Sequence, residues 1–129
     1  MTDKAATALE GAIRRPDNPQ HMMVLKPIAS RVRVHAGGSL LADTMNAVYV
    51  LESFNKIYDP VIYIPGTDIA ADLDPIEKTT HCPLKGDASY FALNGEEIGW
   101  AYNAPFDYSQ AIKGFHAFWP QKVRIEIGD

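Results

Sequence analysis

The dipeptide Asn94-Gly95 stands between two runs, Asp87 to Leu93 and Glu97 to Tyr102, each of strand length and each mixing apolar with polar residues. Asn-Gly suits a two-residue reversal between antiparallel strands, because both positions of that turn take a left-handed backbone. A chain with this signal is committed to strand pairing there, and other segments repeat the pattern. In Arg31-Val32-Arg33-Val34-His35 the arginines and His35 share one face and the valines the other. Gly37-Gly38 then gives a tight reversal into Leu40 to Asp43, and Asn46 to Glu52 supplies a further alternating run. Val61-Ile62-Tyr63-Ile64, bracketed by Pro60 and Pro65, is apolar on both faces and predicts a central strand covered on two sides.

The connecting segments read less regularly. Gly66 to Thr79 is acidic and interrupted by Pro75, which predicts a long loop with room for one helical turn. Pro105 to Gly114 predicts a connection holding a short helix around Tyr108–Ile112. Phe115 to Trp119 and Lys122 to Ile127, separated by Pro120-Gln121, predict a final hairpin with Val123, Ile125 and Ile127 inward. Residues 1–15 form a tail or short helix, with helical composition from Ala5 to Arg15. The stretch from Pro16 to Pro27 reads as an ordered arm or irregular loop in which Met22 to Leu25 pack down. The expected fold class is mainly β. It is a single compact antiparallel meander over residues 16–129, forming a small sandwich or open barrel with one or two short helices.

A chain of 129 residues suits one domain and buries roughly two-thirds of its unfolded surface, so no metal or disulfide staple is required. Residues 1–65 carry seven Lys/Arg against six Asp/Glu, whereas 66–129 carry five against ten. This balance lacks the clustered basic face that nucleic acid demands, and it offers nothing to an anionic membrane surface. Cys82 is the lone cysteine, so no internal disulfide forms and the usual multi-cysteine zinc sites are excluded. The first fifteen residues lack a continuous apolar stretch, and no later run reaches membrane-spanning length. The expected setting is therefore soluble and cytoplasmic, with no cofactor.

The densest chemistry lies in Thr80-His81-Cys82-Pro83-Leu84-Lys85-Gly86. A nearby positive charge favours the thiolate, the nucleophilic form of Cys82. His81 is a candidate base only if it faces the thiol, and sequence neighbours on a strand point to opposite faces. Against this stands the reading of Cys82 as a small buried apolar residue. Lys85-Gly86 offers a point charge for a phosphate or carboxylate, without the glycines and following helix of a phosphate loop. Trp100 and Tyr102 share one face of their strand, with Tyr90 on the other arm of the hairpin. Together these rings could floor a pocket for a flat or anionic ligand, or simply pack across strands. Asp72 and Asp74, with the Gly37-Gly38-Ser39 turn, are too far apart in the chain for a magnesium-dependent transferase pattern. They read as a solvated acidic loop. Histidines 21, 35, 81 and 116 lack metal-ligand spacing and read as surface or capped residues.

Taken together, these residues resemble a known family. The matching elements are Arg31-Val32-Arg33-Val34, Gly37-Gly38, Leu41-Ala42-Asp43-Thr44, Glu52, Tyr63-Ile64-Pro65 with Asp68, and the signature Thr80 to Tyr90. Trp100-Ala101-Tyr102 with Pro105, and Ile112-Lys113-Gly114 leading to Ala117-Phe118, complete the pattern. The chain is similar over about residues 16 to 127 to the bacterial domain-of-unknown-function 427 family. That resemblance implies a β-rich fold similar to the β-tent folds and no established activity.

Two functional expectations follow. In the first, the chain is a small-molecule-binding protein or enzyme whose pocket is lined by Cys82, Lys85, Tyr90, Trp100 and Tyr102. There Cys82 acts as nucleophile or contact, His81 as its base, and Lys85 pairs an anionic group of the ligand. In the second, the chain is a non-catalytic structural or self-associating module. Cys-Pro-Leu-Lys-Gly is then a structural turn locking 66–79 onto the sheet, and an edge strand such as 122–127 mediates homo-oligomer formation.

Overall fold

A computed structural model describes residues 10–128. The strands run β1 (Ile13–Arg15), β2 (Asn18–Pro27), β3 (Val32–Ala36), β4 (Ser39–Thr44), β5 (Val48–Ser53) and β6 (Val61–Pro65). They continue as β7 (Asp74–Cys82), β8 (Gly86–Leu93), β9 (Glu96–Ala101), β10 (Phe115–Phe118) and β11 (Arg124–Ile127). Helical structure among the described residues is confined to 3-10 segments at Gly66–Asp68 and Asp107–Ile112. The fold is mainly β and antiparallel throughout. An eight-stranded sheet in the order β1-β2-β5-β6-β10-β9-β8-β7 packs against a three-stranded sheet in the order β11-β3-β4. The larger sheet stays open between its edges, β1 and β7, so the architecture is a small sandwich rather than a closed barrel.

The alternation read from the sequence explains the packing. On β3, Val32 and Val34 are fully buried while Arg33 and His35 lie on the other face, where His35 Nε2 meets Glu126 Oε1 at 2.8 Å. On β6, Tyr63 joins one hydrophobic core and Ile64 the other, with Val61 and Ile62 following the same division. The Asn94-Gly95 reversal forms as expected, with φ of 52° and 81° at the two positions. Just beyond it, Phe91 pairs with Gly99 and Ala92 with Glu97, which leaves Ile98 as an extra residue. This bulge matters because it re-aims the strand. Ile98 turns to the second core, and Trp100 faces the first.

Four segments differ from expectation. Ile13–Arg15 is a strand, and the rest of the expected helix from Ala5 lies largely outside the described residues. The arm through Pro27 is strand β2, paired with β5 from Met22↔Ser53 to Pro27↔Val48. Its four consecutive apolar residues hide the period of two. Residues 74–79, expected in a loop, belong to β7, an edge strand whose side chains are mostly exposed and therefore carry no apolar alternation. The last two strands do not pair with each other. β10 lies between β6 and β9, while β11 crosses to β3 in the smaller sheet. A turn fixed by Lys122 N–H on the Trp119 carbonyl and Lys122 Nζ on the Glu97 carbonyl redirects the chain. Ile127 is consequently half exposed rather than inward.

The approach of β9 to β10 is tight at Gly99, where an added Cβ would lie 2.1 Å from the Ala117 carbonyl oxygen. Because that neighbour is backbone, it cannot swing aside. Gly99→Ala is expected to cost about 1–3 kcal/mol or more, measured by urea unfolding; a loss below ~1 kcal/mol would contradict the strand spacing.

Candidate functional site

Strand alternation places Val50 and Glu52 of β5, Val61 and Tyr63 of β6, Tyr90 of β8 and Trp100 of β9 around one cleft on the larger sheet. Tyr102, two residues beyond Trp100, and Trp119, just past β10, complete the inner wall. Lys56, Ile57, Tyr58 and Asp59 form the rim, and the cleft holds about 460 Å³. That rim is a tight excursion, closed by Tyr58 N–H on the Glu52 carbonyl and Phe54 N–H on the Lys56 carbonyl.

Lys85 reaches the cleft floor from the β7–β8 turn. The turn is held from outside by one segment. Tyr108 Oη donates to the Pro83 carbonyl at 3.0 Å, Ser109 Oγ to the Leu84 carbonyl at 2.7 Å, and Phe106 N–H to the Lys85 carbonyl at 3.1 Å. Gly86, at φ 113°, lies so close to Pro105 and Phe106 that a side chain would be strained and crowded. The Cys-Pro-Leu-Lys-Gly element thus locks onto residues 105–109, not onto 66–79.

The Lys85 ammonium is ion-paired with Glu52 Oε1, their side chains being 7% and 15% exposed. The second carboxylate oxygen, Oε2, lies 2.8 Å from His21 Nε2. His21 is buried, stacked on Phe54 with ring centroids 4.7 Å apart, and its Nδ1 lies 3.4 Å from Arg15. Arg15 is itself paired with Asp17 at 2.7 Å. Burial alone would raise the Glu52 carboxyl, but Lys85, then His21, pull it below the ordinary glutamate value. Burial alone would lower the Lys85 ammonium, but Tyr63, Glu52 and Cys82 together hold it above the ordinary lysine value.

The walls are aromatic. Trp100 Nε1 donates to Tyr63 Oη at 3.2 Å, and its ring lies 4.6 Å from Trp119 and 6.4 Å from Tyr90. Lys78 sits over the Tyr90 ring, Lys56 over Tyr58 and Lys85 over Tyr102, at 4.3, 4.8 and 5.9 Å respectively. Burial pushes the phenols of Tyr63 and Tyr102 up, so both stay protonated.

The structure therefore brings Lys85, Tyr90, Trp100 and Tyr102 to one cleft and places two other candidates elsewhere. Cys82 is half-buried against the first core and does not line the cleft. His81 is exposed, with Nδ1 2.7 Å from Asp87 Oδ1 and its ring edge-on to Phe106. Its bonded partner is thus Asp87 rather than the thiol. Asp72 and Asp74 are exposed, and among the described residues no group of three His, Cys, Asp or Glu converges. Among the site members not singled out for it from the sequence are Tyr63, Glu52, Trp119 and His21. Glu52 had a legible signal, as a charged residue at an inward position two after Val50. Trp119 sits where a hairpin was expected, and His21, read as a surface or capped residue, lies in the unrecognised β2.

One comparison bears on this arrangement. The family model described as a domain of unknown function, DUF427, matches residues 24–129 and so takes in every residue of the cleft. The chain belongs to the DUF427 family. Within it, the Cys-Pro-Leu-Lys-Gly turn of this DUF427 chain is the element that delivers Lys85 to Glu52. No curated protein matches the chain.

Removing one partner of a buried pair strands the other charge, at a typical cost of about 3 kcal/mol or more. Lys85→Met is expected to lose that much in urea unfolding, and the double variant Glu52→Gln/Lys85→Met to lose less than the single one. The pH dependence has a definite sign. Glu52, held low, contributes stability above the ordinary carboxylate value of about 4.3, and that contribution is lost as pH falls through the lower folded value. Lys85, held high, contributes fully below about 10.4 and loses it as pH rises past the higher folded value. Glu52→Gln should therefore flatten the acid limb of the stability curve relative to wild type.

Proposed function

We propose that this chain binds a small molecule in the cleft between β5, β6, β8 and β9, with the aromatic rings as walls and the Glu52–Lys85 pair as a polar floor. The supporting observation is the pair itself, buried yet lining a largely aromatic cleft. A buried ion pair gives no stability advantage over apolar side chains of the same volume. Its position at a cleft floor is best accounted for by a ligand that uses it, as perturbed charged groups converging in a concave site generally suggest. The reading needs no covalent step, since the Cys82 thiol lies outside the lining.

A second reading keeps the turn as a purely structural, non-catalytic element. Favouring it are the successive Pro83, Leu84 and Lys85 carbonyls, each satisfied by the 105–109 segment. The two readings part at Cys82 and Trp119. Under ligand binding, soluble one- and two-ring aromatic fragments should shift the indole N–H resonances of Trp100 and Trp119, and Trp119→Ala should weaken them. A screen in which no fragment moves either indole would remove the ligand reading. Cys82→Ala should cost about 1 kcal/mol and leave fragment binding intact; lost binding in a folded variant would show that the thiol, not the pair, carries the site.

A further inference from the structure

Resting on the reading of the cleft as a ligand site, we infer that its ligand is an uncharged planar molecule bearing a hydrogen-bond acceptor, such as a ring-attached carbonyl, rather than an anion.

The planar part follows from the walls. The rings of Trp119 and Tyr90 lie 4.6 and 6.4 Å from that of Trp100, all three lining the cleft, and flat faces of this kind favour stacking. A cationic ligand is disfavoured, because Lys56, Lys78 and Lys85 already lie over the rings of Tyr58, Tyr90 and Tyr102.

The acceptor follows from the donors left over at the floor. An ammonium carries three N–H donors, and Glu52 is the hydrogen-bond partner of Lys85 among the described residues. Tyr63 Oη accepts from Trp100 and keeps its own proton to give. The Tyr102 hydroxyl makes no hydrogen bond among the described residues, although its ring is buried and lines the cleft. Both oxygens of Glu52, in contrast, are already engaged, by Lys85 and by His21. The floor therefore offers unused donors at Lys85, Tyr63 and Tyr102, while each Glu52 oxygen already accepts one bond. A carbonyl oxygen, with two lone pairs, can take two of these donors at once.

The absence of net charge follows from the pairing. Lys85 alone suggests an anion, but its charge is balanced by Glu52 at the same spot. Beyond the pair, His21 Nε2 meets the second Glu52 oxygen at 2.8 Å. At the rim Lys56 and Asp59 balance in turn. A carboxylate would meet a lysine already paired with Glu52 and lose its hydration without a counter-charge of its own, whereas an amide or ketone oxygen would lose far less.

Matched probes decide the point. At pH 7, benzamide and 2-naphthamide are to be titrated against benzoate and 2-naphthoate, following the Trp100 and Trp119 indole resonances. The amides are expected to bind at least tenfold more tightly than the acids of the same ring. Glu52→Gln removes the balancing charge and should reverse that order; if the variant does not fold, the wild-type comparison decides alone. Acids binding as tightly as amides, or more tightly, would overturn the inference while leaving the ligand site standing. If none of the four probes moves either indole, the ligand site and the inference fall together.

Discussion

A strand that is apolar on both faces must be covered twice, and β6 imposes this requirement on the whole molecule. Ile62 and Ile64 are covered by a complete second sheet, whose Val32, Val34, Leu41 and Ala42 are fully buried. Val61 and Tyr63 are covered instead by pieces: the Leu84 turn, Ile112 of the 3-10 segment, and rings from β8 and β9. Sheet-on-sheet packing covers one side with a continuous set of strands. Coverage by short segments leaves a cleft, and its polar floor lies where β5 and the β7–β8 turn meet. The site is thus a by-product of how the first core is roofed.

The parts of this fold legible in the sequence are those where burial is one-sided and the turn chemistry explicit. The β3–β4 and β8–β9 hairpins and central β6 all announce themselves through alternation, glycine-bearing reversals or uniform apolarity. β7 was illegible because an edge strand with most side chains in water has no inward set to betray its period. β2 was illegible for the opposite reason, since Met22 to Leu25 present apolar residues at consecutive positions. The separation of β10 from β11 depends on a long-range choice of partner, and no local signal distinguishes that from a hairpin.

The site shows the same divide. Lys85, Tyr90, Trp100 and Tyr102 reach one cleft because a hairpin and its preceding turn are local structures. Glu52 and His21 come from strands paired with each other far from that hairpin in the chain, and only sheet order reveals the contact with Lys85. His81 and Cys82 illustrate what adjacency alone implies. On a strand, neighbours part company, and here one turns to Asp87 and water while the other turns to the core.

The three carbonyls of Pro83, Leu84 and Lys85 all accept hydrogen bonds from a single neighbouring segment. Such a turn has little backbone freedom left to surrender. The lysine it carries is anchored further by Glu52, so the cleft floor is fixed by contacts within the chain. Under the proposed ligand reading, association in the cleft would resemble a key meeting a cut lock more than a hand closing. The ordering entropy that flexible loops lose on binding has been lost here already, at the folding step.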